Sequence, residues 1–151
     1  MDDIDRKITS LLGVDARRSL ADIGEAVSLS PSAVNERMRR MTGSGEIRRF
    51  TVDADPDAFG LPVLAFVWIA LKPDADEAAF RAFASGHIGI SECHHVTGSW
   101  SYLIKVRVAS LPGLEAFLDE MKERAFLARS ETVIALSSAI PDTYSPKVGL
   151  E

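Results

Sequence analysis

Apolar positions recur with a helical period three times in the first fifty residues. Ile4, Ile8, Leu11 and Leu12 stand at i, i+4, i+7 and i+8, one stripe of a helix that Asp2 or Asp3 can cap and Gly13 can end. Leu20, Ile23 and Val27 form a second stripe, and Ser19 with Asp22 three residues later reads as a capping box. The third stripe is Val34, Met38 and Met41. It opens at Ser30-Pro31, a cap followed by proline at the first helical position, and closes at Gly43 and Gly45. Only Ser28, Leu29 and the cap Ser30 separate the second and third helices, which is helix-turn-helix spacing, with Leu29 plugging the turn into the core. Two residues fit this unit poorly. Gly24 weakens the second helix by about 1 kcal/mol relative to alanine, and a left-handed Ser28 would cost on the order of 1–2 kcal/mol.

The pattern then changes. Residues 53–62 are rich in Asp, Pro and Gly without periodicity and read as a linker. Val63–Leu71 is an apolar strand, buried on both faces or in an interface. A helix follows from Asp76 to about Ser85, with Phe80, Phe83 and Ala84 inward. Ile90–Thr97 is a short strand, and Gly98-Ser99-Trp100-Ser101 a turn. Tyr102–Val108 alternates, with Tyr102, Ile104, Val106 and Val108 on one face. Leu111–Arg124 carries Leu114, Phe117, Leu118 and Met121 on a helical stripe, and Arg129–Ile140 is a last strand closed by Pro141. The order β-α-β-β-α-β predicts a ferredoxin-like unit. The fold class is therefore α+β: a three-helix, winged-helix-like helix-turn-helix domain over residues 1–52, a linker at 53–62, a ferredoxin-like domain over 63–141 and a tail at 142–151. Two helices cover one sheet face; the other, apolar in places, calls for association.

The net charge of −5 disfavours nucleic acid at first sight, but its distribution matters more. Between Ser28 and Arg49 there are five arginines against two glutamates. With Val34, Met38 and Met41 inward, Ser32, Asn35, Glu36, Arg39 and Arg40 fall on the outward faces of the third helix. Arginine suits guanine edges, asparagine adenine edges and serine a base or phosphate. Ser32, Asn35, Glu36 and Arg39 are the candidates for base contacts. Arg37, Arg40, Arg48 and Arg49 are the candidates for phosphate contacts, with Ser30 at a helix N-terminus whose N–H groups face an anion. The bland reading is a three-helix packing module.

Catalytic chemistry finds little support. Cys93 and His95 share a strand face, so a metal site is conceivable, but the spacing is irregular and ordinary strand residues explain it better. Neighbouring Cys and His on a strand point to opposite faces and cannot form a dyad. Phosphate-loop, dinucleotide, zinc-protease and nucleophile-elbow motifs are all missing from the sequence. No enzyme activity, metal or cofactor is expected. A single cysteine fits a reducing cytoplasm, the acidic start lacks a signal-peptide n-region, and no apolar run suggests a membrane span.

Asp3-Ile4-Asp5-Arg6-Lys7-Ile8, Ser30-Pro31-Ser32-Ala33-Val34, Arg37-Met38-Arg39-Arg40-Met41 and Gly45-Glu46-Ile47, followed by a short strand Arg48–Val52, resemble the leucine-responsive/asparagine-synthase (Lrp/AsnC) regulators. The likeness continues through the second half. It implies a DNA-binding transcriptional regulator that dimerises and assembles into tetramers, octamers or larger rings, with amino acids or related metabolites bound between dimers. It places effector binding at Gly98, Ser99, Trp100, Ser101 and Tyr102; on sequence alone this is a hairpin turn. Many family members have an acidic residue where this chain has Ser101, so the usual partner of a ligand ammonium is missing. Two rivals stand beside this reading: a metabolite-binding oligomeric module whose helix-turn-helix only mediates assembly, and a small enzyme on a ferredoxin-like fold.

Overall fold

The computed structural model describes residues 1–140 together with Thr143 and Tyr144. The chain divides into two compact units, residues 1–51 and 52–151.

The first unit holds α1 (Asp3–Val14), α2 (Leu20–Val27) and α3 (Pro31–Gly43). Its core is Ile8, Leu12, Ile23, Val34, Met41 and Ile47, with Ile4, Leu20, Val27, Leu29 and Met38 packed around it, as the three stripes require. Ser30 caps α3, its Oγ accepting from the Ala33 N–H at 3.2 Å. The reciprocal capping box lies at α1 rather than α2. Asp2 accepts from the Asp5 N–H at 2.8 Å and Asp5 from the Asp2 N–H at 3.2 Å, whereas Ser19 accepts from Asp22 alone among the bonds of that cap.

The turn explains both poorly fitting residues. Ser28 is left-handed, with φ 57°, and ends α2. The chain folds back so closely that a Cβ on Gly24 would sit 2.5 Å from the Leu29 carbonyl oxygen. The Leu29 N–H donates to the Gly24 carbonyl at 2.9 Å. Gly24 is therefore a packing requirement, outweighing its lower helix propensity.

The expected strand Arg48–Val52 is not formed; the chain there is irregular. A strand is defined by its ladder, and no second strand lies among the described residues of this unit. The linker contains one 3-10 turn, Pro56–Phe59, capped by Asp55.

The second unit runs β1 (Val63–Leu71), α4 (Glu77–Gly86), β2 (Ile90–His95), β3 (Tyr102–Val108), α5 (Leu111–Glu123) and β4 (Leu127–Ile134). All pairings are antiparallel, in the order β2-β3-β1-β4, the ferredoxin-like arrangement. Ala65, Val67 and Ile69 of β1 and Tyr102, Ile104, Val106 and Val108 of β3 face α4 and α5, meeting Phe80, Ala84, Leu114, Phe117 and Met121. Alternation then sends Leu64, Phe66, Trp68 and Ala70 to the opposite, open face.

β4 is shorter and earlier than its sequence pattern suggests, ending at Ile134 instead of Ile140. Among the described residues its partner is β1, and the last rung there is the Ala135 N–H to the Leu64 carbonyl, 3.0 Å. Beyond it β1 has almost run out, so Leu136 and Ile140 stay exposed. β2 likewise stops at His95, two residues before Thr97. Pro141 and the expected tail, apart from Thr143 and Tyr144, lie outside the described residues. Tyr144 is tied to the linker: its N–H donates to Asp53 Oδ1 at 2.8 Å, and its carbonyl accepts from the Ala54 N–H at 2.9 Å.

Candidate functional site

On α3 the inward stripe fixes what points out. Ser32, Asn35, Glu36, Arg39 and Arg40 are all exposed and together line a shallow depression of about 620 Å³. Four of these are the base-contact candidates and the fifth, Arg40, a phosphate candidate. Ser30 sits at the end of the same face, its hydroxyl 3.0 Å from that of Ser32. Arg48 and Arg49 follow α3 and are exposed. Arg39, Arg48 and Arg49 have no carboxylate partner among the described residues.

Arg37 and Arg40 are already engaged. Arg37 Nη1 lies 2.7 Å from Asp2 Oδ2 and 2.8 Å from Asp5 Oδ1, and Arg40 Nη2 lies 2.5 Å from Asp5 Oδ2. The Arg37 hydrogen bond, helped by the Asp5 N–H, holds the Asp2 carboxyl down at about 2. Burial pushes the Asp5 carboxyl up, but hydrogen bonds from Arg37 and the Asp2 N–H and the charge of Arg40 outweigh it, so it titrates below the usual range. Sequence reading missed this link. Its signal was the spacing: two aspartates three apart at the start of α1, two arginines three apart on α3.

The five candidate loop residues do different things. Gly98 has φ +99°, which favours glycine. Ser99 accepts at its carbonyl from Arg129 Nη2, 2.8 Å. Trp100 has the Arg129 guanidinium over its ring, 4.1 Å from the centroid, and the tilted ring of Trp68 of β1 at 6.5 Å. Ser101 is bound to the last residues of the inner strand β1: its Oγ accepts from the Leu71 N–H at 3.0 Å and its N–H donates to the Ile69 carbonyl at 2.7 Å.

Tyr102 points away from the other four, toward the helices. Its ring stacks on His95 at 4.9 Å, and its hydroxyl donates to Glu77 at 2.5 Å while accepting from Arg81 Nε at 2.7 Å. Tyr102, Arg81, Cys93 and His95 border a cleft of about 380 Å³ beside α4. Burial raises the Cys93 thiol above its ordinary value. No group of three or more potential metal ligands comes together among the described residues. No helix among them is long and apolar enough to cross a membrane.

Known proteins match this arrangement from end to end. Residues 1–42 match the AsnC-type helix-turn-helix domain and residues 64–145 the Lrp/AsnC ligand binding domain. The transcriptional regulator LrpA of Mycobacterium tuberculosis is 35% identical over 137 residues, 89% of each chain. Its crystal structure superposes with a TM-score of 0.82, covering 97% of this chain and 100% of that one. The leucine-responsive regulatory protein of Salmonella typhimurium is 36% identical over 123 residues, 80% of this chain and 74% of its own. The regulator NMB0573 of Neisseria meningitidis, solved as an L-Met complex, shares the fold with a TM-score of 0.87 at 22% identity, covering 97% and 96% of the two chains. An α3 with a polar outer face, set before a ferredoxin-like domain and matched over both parts, leads to one assignment: this chain belongs to the Lrp/AsnC family of helix-turn-helix transcriptional regulators.

Proposed function

We propose that the protein is a sequence-specific regulator that reads DNA with the outer face of α3, acts as a dimer or larger homo-oligomer, and responds to an amino acid or related metabolite. The observation that carries the DNA part is the gathering of Ser32, Asn35, Glu36, Arg39 and Arg40 on one exposed helix face. Helices from two protomers would enter successive major grooves about one helical turn apart. Arg39, with no ion-pair partner among the described residues, is the base-reading arginine; Arg48 and Arg49 hold phosphates. Arg39→Ala should cost about 1–3 kcal/mol on the specific site and relax one base position. Arg48→Ala should weaken all sequences alike. Mobility shifts on the DNA upstream of its own gene, against random DNA, check this. Equal losses on both for Arg39→Ala would remove the assignment.

The sensing part rests on the ligand-binding-domain match and on the Gly98–Tyr102 loop. The Neisseria protein carries L-Met, and a free amino acid is the ligand class proposed here. Trp100 offers an apolar wall. Ser101, already accepting from Leu71 N–H, keeps one lone pair and its hydroxyl proton, so it can accept a single bond from a ligand ammonium but supplies no opposite charge, unlike a carboxylate. Affinity for a free amino acid should be modest and should rise in Ser101→Asp, whose carboxylate can still accept from Leu71. Calorimetry with methionine, leucine, phenylalanine and lysine on both proteins decides it; no heat from either would end the sensing reading.

A further inference from the structure

The arginines of α3 and its following segment fall into two classes. Arg39, Arg48 and Arg49 point to solvent with no carboxylate partner among the described residues, whereas Arg37 and Arg40 are clamped to the start of α1. The clamp is built around Asp5, whose side chain is 1% exposed. Its two oxygens take Arg37 Nη1, Arg40 Nη2 and the Asp2 N–H, and Asp2 takes a second bond from Arg37 Nη1. Arg40 remains 57% exposed and lines the α3 depression, so one end of its guanidinium is held while the rest faces outward.

We propose that Asp2 and Asp5 are specificity-determining residues: they withhold the charges of Arg37 and Arg40 from arbitrary phosphates and fix Arg40 along the α3 face. This rests on the reading of α3 as the DNA-contacting helix. Non-specific affinity comes from Lys and Arg groups that displace condensed counterions from phosphates, whatever the sequence. A guanidinium neutralised by a buried carboxylate adds little to that. For a phosphate to capture either guanidinium, the buried Asp5 would have to give up one of its two cationic partners, which is costly for a desolvated carboxylate. The free arginines, Arg39 above all, then carry a larger share of the contacts, and base readout stands out against a lower background. The low titration of Asp5 keeps the clamp charged at neutral pH.

The test uses the full-length chain and a labelled random-sequence duplex of about 30 base pairs, titrated by anisotropy between roughly 50 and 200 mM salt. Asp5→Asn preserves shape and removes the charge. The random duplex should then bind more tightly at low salt. The slope of log affinity against log salt should steepen by about 0.9 for each guanidinium released, so each added contact loses about threefold across that range. Adding Arg40→Gln to Asp5→Asn should return the slope toward wild type. A folded Asp5→Asn with the wild-type slope, or uniformly weaker binding at that slope, overturns the proposal, because a merely structural role changes stability without adding phosphate contacts. Asp2→Asn covers the case in which Asp5→Asn fails to fold. Asp2 is half-exposed and shares only Arg37, so a smaller steepening, reversed by Arg37→Gln, is expected. A wild-type slope there overturns the proposal equally. If neither the wild-type chain nor Asp5→Asn binds the random duplex even at low salt, the DNA reading of α3 falls and takes this inference with it, a result distinct from an unchanged slope.

Discussion

On α3 the outward side chains are Ser32, Asn35, Glu36, Arg39 and Arg40, all polar; on β1 the side chains facing away from the helices are Leu64, Phe66, Trp68 and Ala70, all apolar. Across the open sheet face Phe66 stands opposite Lys105 on one side and Val133 on the other, and Trp68 opposite Leu103 and Glu131. The one buried charge there, Lys105, is 7% exposed and paired with Glu92 at 2.9 Å. The first surface suits a polyanion, since hydrogen-bonding edges can be exchanged for those of bases and phosphates at little desolvation cost. The second suits another apolar surface, since water is its worst neighbour. The contrast teaches that the two surfaces suit partners held by different physics: polar contacts that salt weakens for one, and apolar burial for the other.

The largest expected effect breaks this contrast on the sheet. Trp68→Glu sets a carboxylate in the middle of the open apolar face, beside Glu131 of β4. If that face joins protomers, the variant should dissociate with a constant raised at least about thirtyfold, the scale of a lost central aromatic. Sedimentation velocity at micromolar concentration reads it, with Arg39→Glu on α3 as the control that leaves assembly intact. Two proteins of identical size distribution would mean that the sheet face is not where copies meet.

A smaller effect tests the turn beneath α3. Gly24→Ala should lower the stability of the first unit by about 1–3 kcal/mol, the usual cost of overpacking, although alanine is the better helix former by about 1 kcal/mol. The new Cβ would lie 2.5 Å from the Leu29 carbonyl, a backbone atom that cannot rotate away. Chemical denaturation followed by far-ultraviolet dichroism measures it; a variant as stable as wild type would show that the turn can open without loss.

How far the sequence could be read depended on what fixes a side chain's direction. A helix repeats every 3.6 residues, so once Val34, Met38 and Met41 were inward, the five polar residues that line the outer face of α3 followed without further information. Caps and strand starts were equally legible, because Ser30-Pro31 and the alternation from Tyr102 to Val108 are local signals. Partner-dependent features were not. The extent of β4 depends on where β1 runs out, which the apolar Leu136 and Ile140 conceal. Whether Arg48–Val52 pairs as a strand depends on a ladder partner, which local propensity does not reveal. In the Gly98–Ser101 loop no period exists, so the capture of Trp100 by Arg129 could not be inferred from spacing, whereas alternation placed Tyr102 on the face toward the helices and left only its Glu77 partner unread. The Asp5 link to Arg37 and Arg40 joins residues more than thirty positions apart. Arg37 and Arg40 stand one helical turn apart, as Asp2 and Asp5 do, but local pattern alone does not pair the two sets across the fold.

The smallest effect concerns Ser28 and goes in the stabilising direction. With φ 57° and ψ 42° it occupies the left-handed region at the end of α2, where its Cβ crowds the following carbonyl at a cost of about 1–2 kcal/mol. The side chain is exposed and makes no hydrogen bond among the described residues that glycine would forfeit. Ser28→Gly removes the crowding, and the backbone bonds of the turn, including Leu29 N–H to the Gly24 carbonyl, are untouched. Glycine also loosens the unfolded chain, which takes back about 0.4–1 kcal/mol. The net expectation is a gain of roughly 0.5–1 kcal/mol in the first unit, with the sheet-dependent assembly state unchanged. Paired with Gly24→Ala, the variant isolates the turn: one substitution adds a methyl where the backbone closes in, the other removes a side chain where the backbone is left-handed, and the two should move the denaturation midpoint in opposite directions. A midpoint that falls in Ser28→Gly would mean that serine holds the turn through a contact outweighing its strain, and the left-handed cap would then be a stabilised feature of this helix-turn-helix rather than a tolerated one.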